Sequence, residues 1–297
     1  MSPTRNNLAL LTVVFLVSFV RLQAQEVQRP VVLQEMTWTD VRDYLKTNDM
    51  VIIPIGSTEQ HGPHLPLGTD FYEAFGVSKM ISARTGVVVA PVVLTGYSVY
   101  HSGFAGSLSL KPETLEQVLF ETAEMLMKYG FRRFMFFNYH GGNALTERNV
   151  IHRINHTTEA VAVPVGIGAP FQGGVDRVPG VDFDEHAGVS ETSLMLYLEP
   201  NLVKMERAEK PVLNFSPKLL EIQELAAKNR ALGALLGAYL AVPKETRKGG
   251  ASDEISSNGI WSTGDPKTAN RELGESFASK YAENAVKFIE AWKKVKR

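Results

Sequence analysis

The chain has 297 residues, 44% of them hydrophobic, and a formal net charge of −1. That length suits one large domain or two small ones, and the mixing of acidic and basic residues leaves no electrostatic footprint for nucleic acid. No cysteine is present, which excludes disulfides, thiolate metal ligands, a cysteine nucleophile and a lipid-modified N-terminal cysteine.

In chain order, Arg5 precedes an apolar stretch from Leu8 to Val20, followed by Arg21-Leu22-Gln23-Ala24-Gln25. The stretch has the length of a signal-peptide core and is short for a membrane span. We read residues 1–24 as a secretory leader cleaved after Ala24, with export to a periplasm and no stable membrane insertion afterwards. An uncleaved N-terminal anchor is the alternative. Lack of cysteine fits export without proving it. Residues 25–297 then form a single domain.

Short apolar runs follow: Met50 to Ile55, Val87 to Val93, Phe134 to Tyr139 and Ala160 to Val165. Each is apolar on both faces, as a buried parallel strand requires. Helical patterns separate them, over Phe71 to Arg84, Pro112 to Tyr129 and Ala144 to Thr157. This alternation predicts an α/β layered fold with a mainly parallel sheet. Beyond Glu191 the pattern is mostly helical, over Lys218 to Leu240 and Ala269 to Lys294. Between these, Lys244 to Thr263 reads as a long surface loop over the site or at a subunit contact.

Three segments concentrate chemistry. Glu59, His61, His64 and Asp70 sit among glycines and prolines after the first strand. His140-Gly141-Gly142-Asn143 follows the third. Asp184 to Ser193, with Glu185, His186 and Glu191, reads as the opening of a helix. Carboxylates and imidazoles are the ligands of divalent transition metals, and strand ends are where α/β folds place active sites. Glu59 and His61 are two apart, so in extended chain they point the same way. Asp70 can bridge two ions or cap a helix. Glu191 can be a ligand or a first-turn acid favoured by the helix dipole. His64 is a weaker candidate, since an ordinary loop histidine would look the same. Neither Gly-x-Ser-x-Gly, nor a phosphate-binding Gly-Lys-Ser/Thr loop, nor His-Glu-x-x-His occurs. Four of the seven histidines lie in these segments. With Glu59, Asp70 and Glu191 they suffice for two ions, Zn and/or Mn, and such a pair lowers the pKa of a shared water toward ~7.

The order and spacing of these motifs resemble the creatininase (creatinine amidohydrolase) family. Glu59-Gln60-His61-Gly62-x-His64 with Asp70, Asn138-x-His140-Gly141-Gly142-Asn143, and Glu185-His186-x-Gly188-x-x-Glu191-Thr192-Ser193 carry the likeness. So do His101-x-Gly103-Phe104-x-Gly106-Ser107-Leu108-x-Leu110 and Gly259-Ile260-Trp261-Ser262-Thr263-Gly264-Asp265-Pro266. The resemblance implies a three-layer α/β/α sandwich, a binuclear centre and hydrolysis of cyclic or linear amides, often by a hexamer. It places Glu59, Asp70 and His140 on one ion, His61 and Asp70 on the other, and Glu185 and His186 as the catalytic pair. Glu185 would act as general base and His186 would stabilise developing negative charge. Tyr97, Tyr100, His101 and Phe104, with His64, would contact substrate. The chain departs from creatininase proper in having Gly142 where that enzyme has a carboxylate ligand, for which Glu191 is the natural replacement. It also has Phe171 and Phe183, not tryptophans, in the stretch that covers the substrate. An exported ligand-binding relative without turnover and a metal-dependent phosphoesterase are the rival expectations.

Overall fold

The computed structural model describes residues 29–235 and 255–295. The expected leader lies outside them, as does residue 236 to 254 of the expected helix and loop. Four strands form one parallel sheet in the order β2–β1–β3–β4: β1 (Met50–Ile55), β2 (Val88–Val89), β3 (Arg133–Asn138) and β4 (Val161–Pro164). β1 and β3 are in register along their whole length, from Met50 opposite Arg133 to Ile55 opposite Asn138.

Period-two alternation assigns each face of this sheet. Met50, Ile52, Met135 and Phe137 point to a core completed by α2 (Thr69–Thr85), α5 (Val189–Leu198) and the last helix, here α7 (Arg271–Trp292). Val51, Ile53, Phe134 and Phe136 point to the opposite core, against α3 (Pro112–Tyr129) and α4 (Ala144–Thr157). The result is the expected three-layer α/β/α sandwich. A short helix, α1 (Trp38–Tyr44), precedes the sheet and is closed by a capping box between Thr37 and Asp40; α6 (Pro217–Lys228) follows α5.

Three expectations need correction. The second strand is only two residues long: the Ala90 N–H makes the last regular rung to Ile52, and Pro54 of β1 has no N–H to give the Ala90 carbonyl the next, although Val93 returns to pair with Ile55. Residues 184–186 form a strand, β5, and the helix begins at Val189. The described end of the expected surface loop is not a surface loop. Ile260 and Ser262 are buried, and Trp261–Ser262 form β6, antiparallel to β5.

Candidate metal centre

The ligand-rich segments converge at the carboxyl ends of β1 and β3, beside β5. Asp70 lies in the first turn of α2, whose N-cap is Gly68. Its carboxylate turns inward between His61 Nε2 (3.3 Å) and His140 Nδ1 (3.3 Å). The capping alternative is thereby overturned. Glu59 Oε1 lies 3.3 Å from His140 Nδ1 and 3.7 Å from His186 Nδ1. Glu191 Oε2 is 3.7 Å from His61 Nε2.

The hydrogen bonds on the far side of each imidazole determine what it offers here. His61 Nδ1–H donates to the Glu59 carbonyl at 3.1 Å. His140 Nε2–H donates to the Tyr97 carbonyl at 2.9 Å. His186 Nε2–H donates to the Gln60 carbonyl at 2.6 Å. A carbonyl only accepts, so each ring holds a proton on that nitrogen, and its other nitrogen, which in the neutral ring carries a lone pair, faces the carboxylates. Such nitrogens facing carboxylate oxygens repel them unless a proton or a metal cation lies between. Glu59 Oε1, Asp70 Oδ2 and His61 Nε2 are buried without a hydrogen-bond partner, a costly arrangement that an ion would relieve. Their donor atoms fall into three groups that could each hold one: Glu59–Asp70–His140, His61–Asp70–Glu191, and Glu59–His61–His186. Imidazole nitrogen with carboxylate oxygen is the donor set of Zn²⁺ or Mn²⁺.

The same demand for positive charge shows in the electrostatics: without an ion, the near nitrogen of His61 takes up a proton in its place. Burial disfavours a charge on His61, yet Asp70 and Glu191 beside it outweigh burial and carry it up to about 9. Burial pushes Glu191 up to about 8, against the pull of His61. The cluster, taken alone, is short of positive charge.

A cavity of about 740 Å³ opens over these groups. Tyr100 and His101 line it as expected, together with Glu185. His64, Tyr97 and Phe104 do not. His64 is buried beneath the cavity, its Nε2 2.8 Å from Thr192 Oγ1. Tyr97 contributes its carbonyl to His140 while its ring packs on the core. Phe171 and Phe183 also turn elsewhere, toward Phe288 and Phe215. The aromatic wall instead includes Trp261, which stacks on His101 at 5.3 Å. Sequence reasoning missed it as a site residue, although it sits in one of the motifs carrying the family likeness. The 174–185 segment adds Asp176, Arg177 and Asp182 to the lining. With its Nε2–H held by the Gln60 carbonyl, neutral His186 turns Nδ1 toward the centre as an acceptor and becomes a donor there only after taking up a proton.

A family profile described as creatininase, creatinine amidohydrolase, matches residues 34–289. The chain belongs to the creatininase family. It is 32% identical to the mycofactocin precursor peptide peptidase of Mycobacterium tuberculosis over 257 residues, 83% of this chain and 86% of that relative. It is 30% identical to the creatinine amidohydrolase of Pseudomonas putida over 212 residues, 64% of this chain and 80% of that one. A Zn-Zn form of a mutant creatininase shares the fold, with a TM-score of 0.68 at 24% identity, covering 90% of this chain and 100% of that chain. Among the members of this family the present chain is an amidohydrolase.

Behind His140, the Asn138 amide clamps the loop: its Nδ2 donates to the His140 carbonyl and its Oδ1 accepts the His140 N–H. Glu147 of α4 lies beneath this clamp, buried, with Oε1 unpartnered. Burial pushes its carboxyl up to about 8, with the Asn138 hydrogen bond and Arg148 pulling back. The folded protein therefore keeps a proton that the unfolded chain releases near its ordinary 4.5. Stability falls as pH rises through that window, and the loss is complete above the folded value. Glu147→Gln should be near neutral at pH ~5 and stabilising by a few kcal/mol at most near pH ~8. Thermal melts at both values test this; a shift of equal size at each would contradict it.

Proposed function

We propose that the protein is a two-metal amidohydrolase that cleaves a C–N bond of an uncharged or cationic amide. The observation that carries this reading is the set of three imidazoles, each with one nitrogen bonded to a main-chain carbonyl and the other turned on buried carboxylates. In it, Glu59, Asp70 and His140 hold one ion, and His61, Asp70 and Glu191 hold the other, with Asp70 shared. Two such ions would lower the pKa of water and polarise an amide carbonyl. His186 Nδ1 is oriented to accept a proton. Glu185 lines the cavity with its carboxyl pushed up by burial, then by Asp176 and Asp184. It is suited to take a proton and return it to the leaving nitrogen. Tyr100, His101 and Trp261 supply a flat aromatic wall for the acyl or ring portion.

Charge favours amides over phosphate esters. Asp176, Asp182, Asp184 and Glu185 line the cavity in addition to the carboxylates assigned to the ions, and Arg177 is the one lysine or arginine in the lining among the described residues. A phosphate ester would enter this field with its charges opposed. Export of the mature chain and assembly as a homo-oligomer, a hexamer by family likeness, belong to the same reading. The first is supported by the Leu8 to Val20 stretch of the sequence.

The test is metal analysis of protein purified without chelator, joined to an activity screen. The screen covers creatinine, other cyclic ureides and lactams, formamides, short peptides and a phosphate ester. We expect amide turnover that disappears in Glu185→Gln with metal retained. Less than about one equivalent of metal, with no gain on reconstitution, would refute the two-metal reading. Metal with faster phosphate-ester than amide turnover would favour the phosphoesterase.

A further inference from the structure

The Gln60 side chain joins three segments that sequence leaves far apart. Its carboxamide is buried. The Oε1 accepts the Gly62 N–H at 2.9 Å. The Nε2 donates to the Gly259 carbonyl at 3.1 Å and lies 3.0 Å from His101 Nδ1. A main-chain N–H can only donate and a carbonyl can only accept, so the amide cannot be turned the other way round. His101 Nδ1 must then be the acceptor, and the proton of that ring must sit on Nε2. This N–H lies 3.2 Å from Glu59 Oε1. The main chain of the same residue acts in the opposite sense. Its carbonyl takes the His186 Nε2–H, which leaves Nδ1 of that ring bare toward the same Glu59 oxygen.

We infer that Gln60 is a positioning residue that holds two neighbouring imidazoles in the same Nε2–H tautomer but presents them oppositely, His101 turning its N–H and His186 its bare Nδ1 toward the same Glu59 oxygen. The two rings stack with centroids 4.3 Å apart. Two identical side chains so close would otherwise exchange roles freely. One glutamine, through its side chain and its carbonyl, divides donation from acceptance before substrate arrives. It also ties that division to the 255–263 segment. Gly259 has φ +77°, and a Cβ there would lie 1.9 Å from Gln60 Oε1. The same junction therefore sets the position of Trp261, two residues on, against His101. This inference goes beyond the two-metal reading and does not depend on it, because the tautomers are set by the protein alone.

The experiment is nitrogen-15 NMR of histidine-labelled full-length protein, metal-free and metal-loaded, with signals assigned by their loss in His101→Gln and His186→Gln. In the native protein the proton of both rings should be on Nε2. In Gln60→Glu the new carboxylate can only accept, so the His101 proton should move to Nδ1 while that of His186 stays. Gln60→Met should leave His101 a mixture of tautomers. Both variants should retain metal and lose about 10–100-fold in kcat, the usual effect of an outer-shell partner, with little change in KM. A His101 proton on Nδ1 in the native protein overturns the inference outright. So does a Gln60→Glu protein in which the His101 tautomer is unchanged. Should Gln60→Glu not fold, the native spectrum and Gln60→Met decide alone.

Discussion

Asp70→Asn is expected to lose both metal ions and nearly all activity. Asp70 is common to the Glu59–Asp70–His140 and His61–Asp70–Glu191 groups, so no other single residue touches both in this way. Asparagine keeps the volume and one acceptor oxygen but removes the charge and the second acceptor. The lone pairs of His61 and His140 would then face an amide. Metal-dependent polarisation is worth several kcal/mol at the transition state, so the loss in kcat should be about 10³-fold or more. The side chain sits in the first turn of α2, where the backbone does not depend on it for capping, and the fold should persist. The decisive measurement is thermal. A bound ion raises stability by mass action, about 2.7 kcal/mol at a hundredfold excess over Kd. Zn²⁺ or Mn²⁺ should therefore raise the Tm of the native protein and not that of the variant. An equal rise in both, with equal metal content, would remove Asp70 from the centre.

Much of this arrangement is legible in the sequence. Met50 to Ile55, Pro112 to Tyr129 and Ala144 to Thr157 are read with the bounds they have in the structure, because apolar runs and periodicity are local signals. The ligands are legible because histidine is scarce and clusters with carboxylates among glycine and proline. What escapes is whatever depends on contact at long range. Trp261 reaches His101 because β6 pairs with β5, and nothing in Lys244 to Thr263 announces that pairing. His64 has the same local setting as His61, and only the course of the loop buries it against Thr192. The direction of each imidazole proton is likewise invisible, since it is set by the Tyr97, Glu59 and Gln60 carbonyls and not by neighbouring side-chain types. Glu147 looks like an ordinary first-turn acid until its burial under Asn138 is known.

Glu191→Gln should remove one ion and spare the other. The family-like second loop carries Gly142 where a carboxylate would complete the second ion, and the structure shows why no side chain fits. A Cβ at Gly142 would lie 2.2 Å from Tyr100 Oη and 2.4 Å from the Tyr97 carbonyl. The carboxylate must come from elsewhere, and α5 brings Glu191 to His61 and Asp70. Its Oε2 accepts the Ala187 N–H. Ala187 has φ +53°, a conformation that costs a non-glycine residue of order 1–3 kcal/mol and persists only where the surroundings enforce it. Glutamine can still accept that N–H through its remaining oxygen, so the turn between His186 and α5 should hold. If Glu191 served only the helix dipole, its replacement would cost about 0.3–1 kcal/mol and leave metal content intact. As a ligand, its neutralisation should lower the bound metal by roughly one equivalent, leaving Glu59, Asp70 and His140 occupied, and should remove most activity. Metal titration separates the two outcomes directly: two ions retained with native affinity in Glu191→Gln would return Glu191 to a capping role.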